Sequence, residues 1–213
     1  MLDLWLVRHG ETVWNTEGLV QGWSDPPLSG TGEAQAQKLA SRLARTPFAA
    51  VYSSDLQRTR QTAQLALPGL HVIPDARLRE LGFGAWEGKI WTGVAENDAE
   101  ALEAWYSDPY RNTPTGGEPY ADLETRIQSW LRALPQTGRV LAFTHGGPIR
   151  TVLYDLTGVP NGQHWRFEIG AASLTKLVLG AGAIIKTVGD VAHLEAPDLE
   201  NVNLENVNLE NRT

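Results

Sequence analysis

A short apolar segment, Leu4-Trp5-Leu6-Val7, runs directly into Arg8, His9 and Gly10. An unbroken apolar run of this kind is typical of a strand buried on both faces of a sheet. Open α/β sheets bind ligands at the carboxyl ends of their strands, and a glycine there lets the backbone approach a ligand closely. A guanidinium and an imidazole at such a strand end can grip a phosphate and attack its phosphorus atom. Taken alone, the same tripeptide is also compatible with an ordinary polar strand exit.

Apolar segments along the chain alternate between strand-like and helix-like patterns. Strands are predicted at 2–7, 49–52, 70–73, 140–143, 174–179 and 183–188. Helices are predicted at 29–45, 55–67, 123–134 and 148–156, with one or two small helices between 91 and 107. This alternation predicts an α/β fold. We expect a three-layer sandwich with a mostly parallel central sheet, helices on both faces and the last two strands as a hairpin at one edge.

Composition places the chain among globular proteins with one core. Of its 213 residues 42% are hydrophobic, and its formal net charge is −7. The last 19 residues carry −4 of that charge, so the −3 on residues 1–194 does not describe a nucleic-acid surface. The absence of cysteine excludes disulfides and thiolate catalysis, and no apolar run is long enough to span a membrane. We therefore expect a cytoplasmic protein whose partners include neither nucleic acid nor membrane.

Three further segments carry clusters of polar residues and glycines like the first. They are Ser-Ser-Asp-Leu-Gln-Arg-Thr-Arg-Gln-Thr-Ala at 53–63, Leu-Arg-Glu-Leu-Gly-Phe-Gly-Ala-Trp-Glu-Gly at 78–88 and Phe-Thr-His-Gly-Gly at 143–147. The first and the last of these stand at the ends of predicted strands. Together with Arg8-His9-Gly10, and in this order, they resemble the histidine phosphatase superfamily, also called phosphoglycerate mutase-like, over most of the chain.

The resemblance implies a role for two histidines and one glutamate. His9 is expected to be the nucleophile that becomes a phosphohistidine, and His145 the facing partner that binds and stabilises the transferred group. Glu80 matches the residue that donates a proton to the leaving alkoxide, and the same carboxylate can then accept a proton from the hydrolytic water. The alternative for Glu80 is a loop glutamate paired with Arg77 or Arg79.

Cationic side chains, side-chain amides and backbone N–H groups are expected to bind the phosphate. Arg8 and Arg58 can each contact a phosphate bidentately. The resemblance implies that Asn15, Gln21 and Gly22 close the phosphate pocket, and Thr144 and Gly146 are the other predicted phosphate- or substrate-binding residues. No acidic or histidine cluster has metal-ligand spacing, so we expect neither a metal nor another cofactor. Most of the eight tryptophans are interpreted as core or rim packing residues, and none is assigned a chemical role.

Two activities share such a site: hydrolysis of a phosphomonoester, and mutase transfer between two oxygens of one substrate. A mutase must hold a doubly phosphorylated intermediate, which favours additional cations. Segment 88–94 has one lysine and no Arg, His or Tyr, and segment 91–108 carries five acids. Segment 114–118 also resembles short bacterial phosphatases, including those that act on α-ribazole phosphate. These features favour a phosphatase.

We therefore expect a metal-independent phosphatase that acts on a small phosphorylated metabolite. Two alternatives stay open: a 2,3-bisphosphoglycerate-dependent phosphoglycerate mutase, and a catalytically silent module that binds a phosphate ligand. The sequence specifies neither the substrate nor the oligomeric state.

Residues 195–213 differ in character from the rest. Val-Asn-Leu-Glu-Asn occurs at 202–206 and again at 207–211, after the related Pro-Asp-Leu-Glu-Asn at 197–201. This period resembles that of pentapeptide-repeat proteins, but three copies are too few to bury a core of their own. We predict a phosphatase domain over 1–194, followed at 195–213 by an acidic, poorly ordered tail without a catalytic role.

Overall fold

Six strands form the central sheet of the computed structural model, which describes residues 1–159 and 166–195. They are β1 Leu2–Arg8, β2 Ala50–Ser53, β3 Ile73–Pro74, β4 Gly138–Thr144, β5 Leu174–Leu179 and β6 Ile184–Asp190. Their order in the sheet is β3-β2-β4-β1-β5-β6. The first four strands in this order are parallel, whereas β5 is antiparallel to β1 and β6 is antiparallel to β5. The predicted mostly parallel sheet with a late edge hairpin is confirmed.

Helices cover both faces of this sheet. They are α1 Val13–Thr16, α2 Gly30–Leu43, α3 Gln57–Ala66, α4 Trp91–Asn97, α5 Ala99–Ser107, α6 Tyr120–Ala133, α7 Gly146–Thr157 and α8 Ala192–Glu195. Two short 3₁₀ turns lie at Ala76–Leu78 and Gly84–Trp86. None of the described helices is both long and apolar enough to cross a membrane.

The side chains of β1 explain the three layers. Leu4 and Leu6 belong to an apolar cluster that includes buried residues of α6 and α7. Trp5 and Val7 belong to a second cluster, with buried residues of α2 and α3. Because successive side chains of a strand point to opposite faces, an unbroken apolar strand needs helices on both sides. The predicted three-layer sandwich is confirmed.

The start of α2 follows from its sequence. Ser29 has extended backbone, and its hydroxyl accepts a hydrogen bond from the Gly32 N–H, which makes it the N-cap of α2. The buried residues of the helix recur at helical spacing; they are Gly32, Ala36, Leu39 and Leu43. This stripe lies against the sheet.

Most predicted boundaries differ from those in the structure by one to three residues, and the differences at α7 and β3 have identifiable causes. Helix α7 begins at Gly146 instead of Pro148, because His145 has the extended backbone of an N-cap residue (φ −129°, ψ 176°). Strand β3 is Ile73–Pro74 instead of 70–73, since the pairing with β2 joins Tyr52 to Ile73 and Ser53 to Pro74. The first difference matters for function because the N-terminus of α7 then lies directly after His145.

Helix α8 is tied to α2. Arg42 Nη2 lies 2.7 Å from an Asp190 carboxylate oxygen, and Lys38 Nζ donates to the Leu194 carbonyl at 3.4 Å. Apart from Glu195, the predicted tail lies outside the described residues. Its order and its role therefore stay predictions.

A chain that ends at Glu195 should keep the stability of the full chain, because three pentapeptide copies are too few to bury a core of their own. We expect the midpoint of thermal unfolding, followed by circular dichroism, to change by less than about 2 °C. A chain that ends at Gly189 is the control. It loses α8 and the Arg42–Asp190 ion pair and should unfold at a clearly lower temperature. A large loss of stability on removal of 196–213 alone would show that the repeats pack on the domain.

Candidate active site

The parallel pairing of β1 with β4 brings two predicted site residues together. Arg8 is paired with Thr144 at the ends of these strands, and the His9 N–H donates to the Thr144 carbonyl at 3.0 Å. His9 and His145 therefore leave the sheet side by side. Their ring centroids are 5.1 Å apart, their ring planes meet at 62°, and both side chains are buried.

His9 has the geometry of a nucleophile. Its Nδ1 lies 2.7 Å from the Gly10 carbonyl oxygen, and since a carbonyl only accepts, Nδ1 must carry the proton. Burial, together with the positive charges of Arg58 and Arg8, holds the pKa of His9 well below its ordinary range. The ring is therefore neutral near pH 7, and its Nε2 keeps a lone pair. His9 lines a cavity of about 240 Å³.

Arg8 and Arg58 bring two positive charges to this cavity. Arg8 Nη1 donates to the Ile169 carbonyl at 2.6 Å. Arg58 donates from its two terminal nitrogens to the carbonyls of Ser24 and Gly22, both at 2.8 Å. Burial lowers the pKa of Arg58 to about 10, so it stays charged near neutral pH. Each guanidinium is thus anchored by part of its donor set, while its buried Nε–H has no partner among the described residues.

Asn15, Gln21 and Gly146 line the same cavity. Thr12, the N-cap of α1, holds both amides: its N–H donates to Asn15 Oδ1 at 3.0 Å, and its hydroxyl lies 2.9 Å from Gln21 Oε1. With its oxygen held in this way, the buried Nε2 of Gln21 finds no partner in the described part of the chain. The loop after β1 therefore presents an amide donor to the cavity.

Four buried nitrogen atoms around His9 lack a hydrogen-bond partner among the residues that the structure describes. They are Arg8 Nε, Arg58 Nε, Gln21 Nε2 and His145 Nδ1. A buried donor without an acceptor costs about 1–3 kcal/mol, and native structures contain few of them. A bound oxyanion would supply the missing acceptors. Within residues 1–159 and 166–195, no group of three or more His, Asp or Glu side chains is arranged to hold a metal ion.

Glu80 lines the same cavity and is held at the N-terminus of α7. Its two carboxylate oxygens accept from the Gly147 N–H at 3.0 and 3.1 Å, and Oε1 also accepts from the Leu81 N–H at 2.8 Å. The alternative pairing with Arg77 or Arg79 does not occur, because each of those arginines binds an aspartate at 2.6 Å. Backbone donors therefore hold the carboxylate beside the cavity.

Arg126 of α6 holds the segment that carries Glu80, a role that sequence analysis misses. Its terminal nitrogens donate to the carbonyls of Arg77, Arg79 and Glu80 at 2.6 to 2.8 Å. Its Nε forms an ion pair with Glu118 at 2.7 Å. The three carbonyls are 46 to 49 residues away in the chain, so a lone arginine on a helix gives no local signal of this contact.

Two residues predicted to bind phosphate occupy other positions. The Gly22 carbonyl accepts from Arg58, and a side chain at this position would overlap the Glu87 carboxylate. Gly22 thus shapes the loop that holds the arginine. Thr144 is buried, and its hydroxyl donates to the Leu78 carbonyl at 2.7 Å. Like His145, which contacts His9 from behind the lining, neither residue is among those that line the described cavity.

Apolar side chains complete the cavity. Leu19, Phe83 and Trp91 line it, together with Arg150. The rings of Phe83 and Trp91 meet edge to face with centroids 5.7 Å apart, which places the first residue of α4 beside the site. Trp91 therefore packs against Phe83 at the rim of the cavity. Arg150 is a further residue that sequence analysis leaves out of the site; its Nε donates to the Phe167 carbonyl at 3.1 Å.

The chain matches the model of the histidine phosphatase superfamily (branch 1) over residues 4–190. It is 35% identical to the Escherichia coli protein named "Probable phosphoglycerate mutase GpmB", over 95% of this chain and 99% of that protein. Two solved structures are also similar. YhfR from Bacillus stearothermophilus has a TM-score of 0.85 and 31% identity, covering 91% of this chain and 100% of that one. The α-ribazole phosphatase from Shigella flexneri has a TM-score of 0.80 and 30% identity, covering 89% and 96%. The matched residues include all four segments that build the site, and the chain belongs to the histidine phosphatase superfamily.

Proposed function

We propose that the protein is a phosphomonoester hydrolase that acts on a small phosphorylated metabolite through a phosphohistidine intermediate on His9. The observation that carries this proposal is the set of four unpartnered buried nitrogen atoms around a neutral His9, whose Nε2 keeps its lone pair. A phosphoryl group in this cavity would meet a nucleophile and its hydrogen-bond donors together. One similar solved structure is that of an α-ribazole phosphatase, which supports the proposal.

In the first step His9 Nε2 attacks the phosphorus atom, and the bond between phosphorus and the ester oxygen breaks. The ester oxygen takes a proton from the Glu80 carboxyl and departs as an alcohol. The Nε–H groups of Arg8 and Arg58 and the Gln21 amide donate to the phosphoryl oxygens, whose charge must be stabilised in the transition state.

In the second step water attacks the phosphorus atom of the phosphohistidine. The Glu80 carboxylate accepts a proton from that water, the bond between phosphorus and Nε2 breaks, and inorganic phosphate leaves. His9 and Glu80 are then back in their starting protonation states. One carboxyl thus serves as acid in the first step and as base in the second.

The alternative activity, phosphoglycerate mutase, has support from the name of the Escherichia coli relative. A mutase must hold two phosphates while its intermediate reorients. Beside the two phosphate-binding arginines, Arg150 is the one cation among the described residues that line the cavity, and Leu19, Phe83 and Trp91 line it as well. Such a lining suits the alcohol part of a monophosphate better than a second phosphate, so we favour hydrolysis.

Turnover of p-nitrophenyl phosphate in EDTA should exceed interconversion of 3- and 2-phosphoglycerate by at least about tenfold, a difference of about 1.4 kcal/mol in the barrier. The mutase assay should contain 2,3-bisphosphoglycerate, so that the competing activity is tested under its own conditions. Mutase turnover faster than hydrolysis would overturn the proposal. The absence of both activities between pH 5 and 8 would favour a silent binding module.

The variant His9→Ala should lower kcat for p-nitrophenyl phosphate by at least about a thousandfold, because the nucleophile is lost. Rapid quenching of the wild-type reaction should trap acid-labile, base-stable phosphate, and peptide mapping should place it on His9. The variant His71→Ala changes an exposed histidine and should keep wild-type kinetics. Phosphate trapped on His145 would reverse the assignment of the two histidines.

The variant Gly147→Ala tests Glu80 as the acid without changing any charge. A Cβ at residue 147 would overlap Oε1 of Glu80 and displace the carboxyl. We expect kcat/KM for an alkyl phosphate, whose leaving group needs a proton, to fall by at least about tenfold. With 2,4-dinitrophenyl phosphate, whose leaving group needs none, the loss should be much smaller.

The variant Gly30→Ala is the matched control for Gly147→Ala, because no atom lies within 4 Å of a Cβ at that helical glycine. It should leave the kinetics with both substrates unchanged. Equal losses with the alkyl and the dinitrophenyl substrate in Gly147→Ala would mean that Glu80 is not the proton donor.

A further inference from the structure

Ser53, the last residue of β2, and Ser54, which follows it, are both buried, and they have different partners. The Ser53 hydroxyl donates to the Ser54 carbonyl at 2.7 Å. The Ser54 N–H donates to the Phe143 carbonyl at 2.9 Å, which fixes Ser54 against the end of β4. From this position its Oγ lies 3.0 Å from His145 Nε2. Ser54 therefore links the end of β2 to His145, the second histidine of the site.

The direction of this hydrogen bond follows from counting protons. A serine hydroxyl has one proton and two lone pairs, and Ser54 Oγ already accepts from the Leu56 N–H at 3.3 Å. If His145 Nε2 also donated to it, the buried hydroxyl proton would have no acceptor among the described residues. If the hydroxyl instead donates to Nε2, then the Leu56 N–H, the Ser54 hydroxyl and His145 Nε2 all have hydrogen-bond partners. Only His145 Nδ1 then lacks one.

The protonation of His145 follows from the same bond. Burial, followed by the positive charge of Arg58, holds the pKa of His145 well below its ordinary range, so the ring carries a single proton near pH 7. With Nε2 as acceptor, that proton is on Nδ1. This is the buried atom that has no partner within the described chain, on a ring that meets the His9 ring edge to face.

We propose that Ser54 is a positioning residue that sets His145 in the Nδ1–H tautomer, so that this N–H donates to a phosphoryl oxygen bound beside His9. The second half of the proposal rests on the proposed function. The other tautomer would present a lone pair to an anionic oxygen and repel it. Ser54 thus acts on the substrate only through the histidine that it orients.

The ¹⁵N spectrum of the full chain with ¹⁵N-labelled histidine, recorded without ligand near pH 7, tests the tautomer directly. His145 is assigned by comparison with His145→Asn. We expect a protonated Nδ1 and an unprotonated Nε2 in the wild type, and a measurable population of the Nε2–H tautomer in Ser54→Ala. Ser53→Ala removes an equally buried hydroxyl that contacts backbone only and should keep the wild-type spectrum.

Titration with inorganic phosphate, followed by calorimetry, tests the consequence for binding. Ser54→Ala should weaken the affinity about three- to tenfold, the range for one lost neutral hydrogen bond. Ser53→Ala should leave the affinity unchanged, and Ser54→Thr, which retains the hydroxyl, should restore most of it.

An Nε2–H tautomer or an imidazolium in the wild type would overturn the proposal, whether or not Ser54→Ala folds. So would an unchanged His145 spectrum in a folded Ser54→Ala. If the wild type binds no phosphate and hydrolyses no ester but shows the Nδ1–H tautomer, the proposed function fails while the assignment of Ser54 to the tautomer stands.

Discussion

Three strand ends meet at one edge of the sheet because β4 pairs in parallel with both β1 and β2. The pairing with β1 sets His9 against His145, and the pairing with β2 brings Ser54 to the same histidine. A shift of the β1 register by one residue would turn its two sets of apolar side chains toward the wrong layers. The forces that specify the core therefore also specify the distance between the two histidines.

Burial then determines the chemistry of this edge. It lowers the pKa of both histidines, so a neutral imidazole lies beside two guanidinium groups. Backbone carbonyls partly offset the cost of burying these cations. The Nε–H of each guanidinium has no partner among the described residues, so the anion binding that we propose would relieve an unfavourable arrangement. The same desolvation would strengthen the interaction of each donor with a bound oxyanion.

Most of the fold could be predicted because its signals are local. The apolar run of β1 and the N-cap Ser29 each specify an element through residues that are neighbours in the chain. Strand β3 was misplaced because its position depends on pairing with β2 instead of on its own pattern. The partner of the Thr144 hydroxyl could not be predicted for a similar reason: a hydroxyl at a strand end has many available acceptors, and packing selected the Leu78 carbonyl.

By itself, the sequence determined which residue types stand at the strand ends and in segment 78–88. These residues made His9, Glu80 and His145 the candidates for catalysis. Only the tertiary structure decided what these side chains touch. The Glu80 carboxylate accepts a hydrogen bond from the Gly147 N–H, and the Glu80 backbone carbonyl accepts one from Arg126. The physical reason is that a hydrogen bond between distant segments leaves no periodic trace in the sequence. The packing of α6 and α7 against the sheet selects one donor and one acceptor from many chemically equivalent ones.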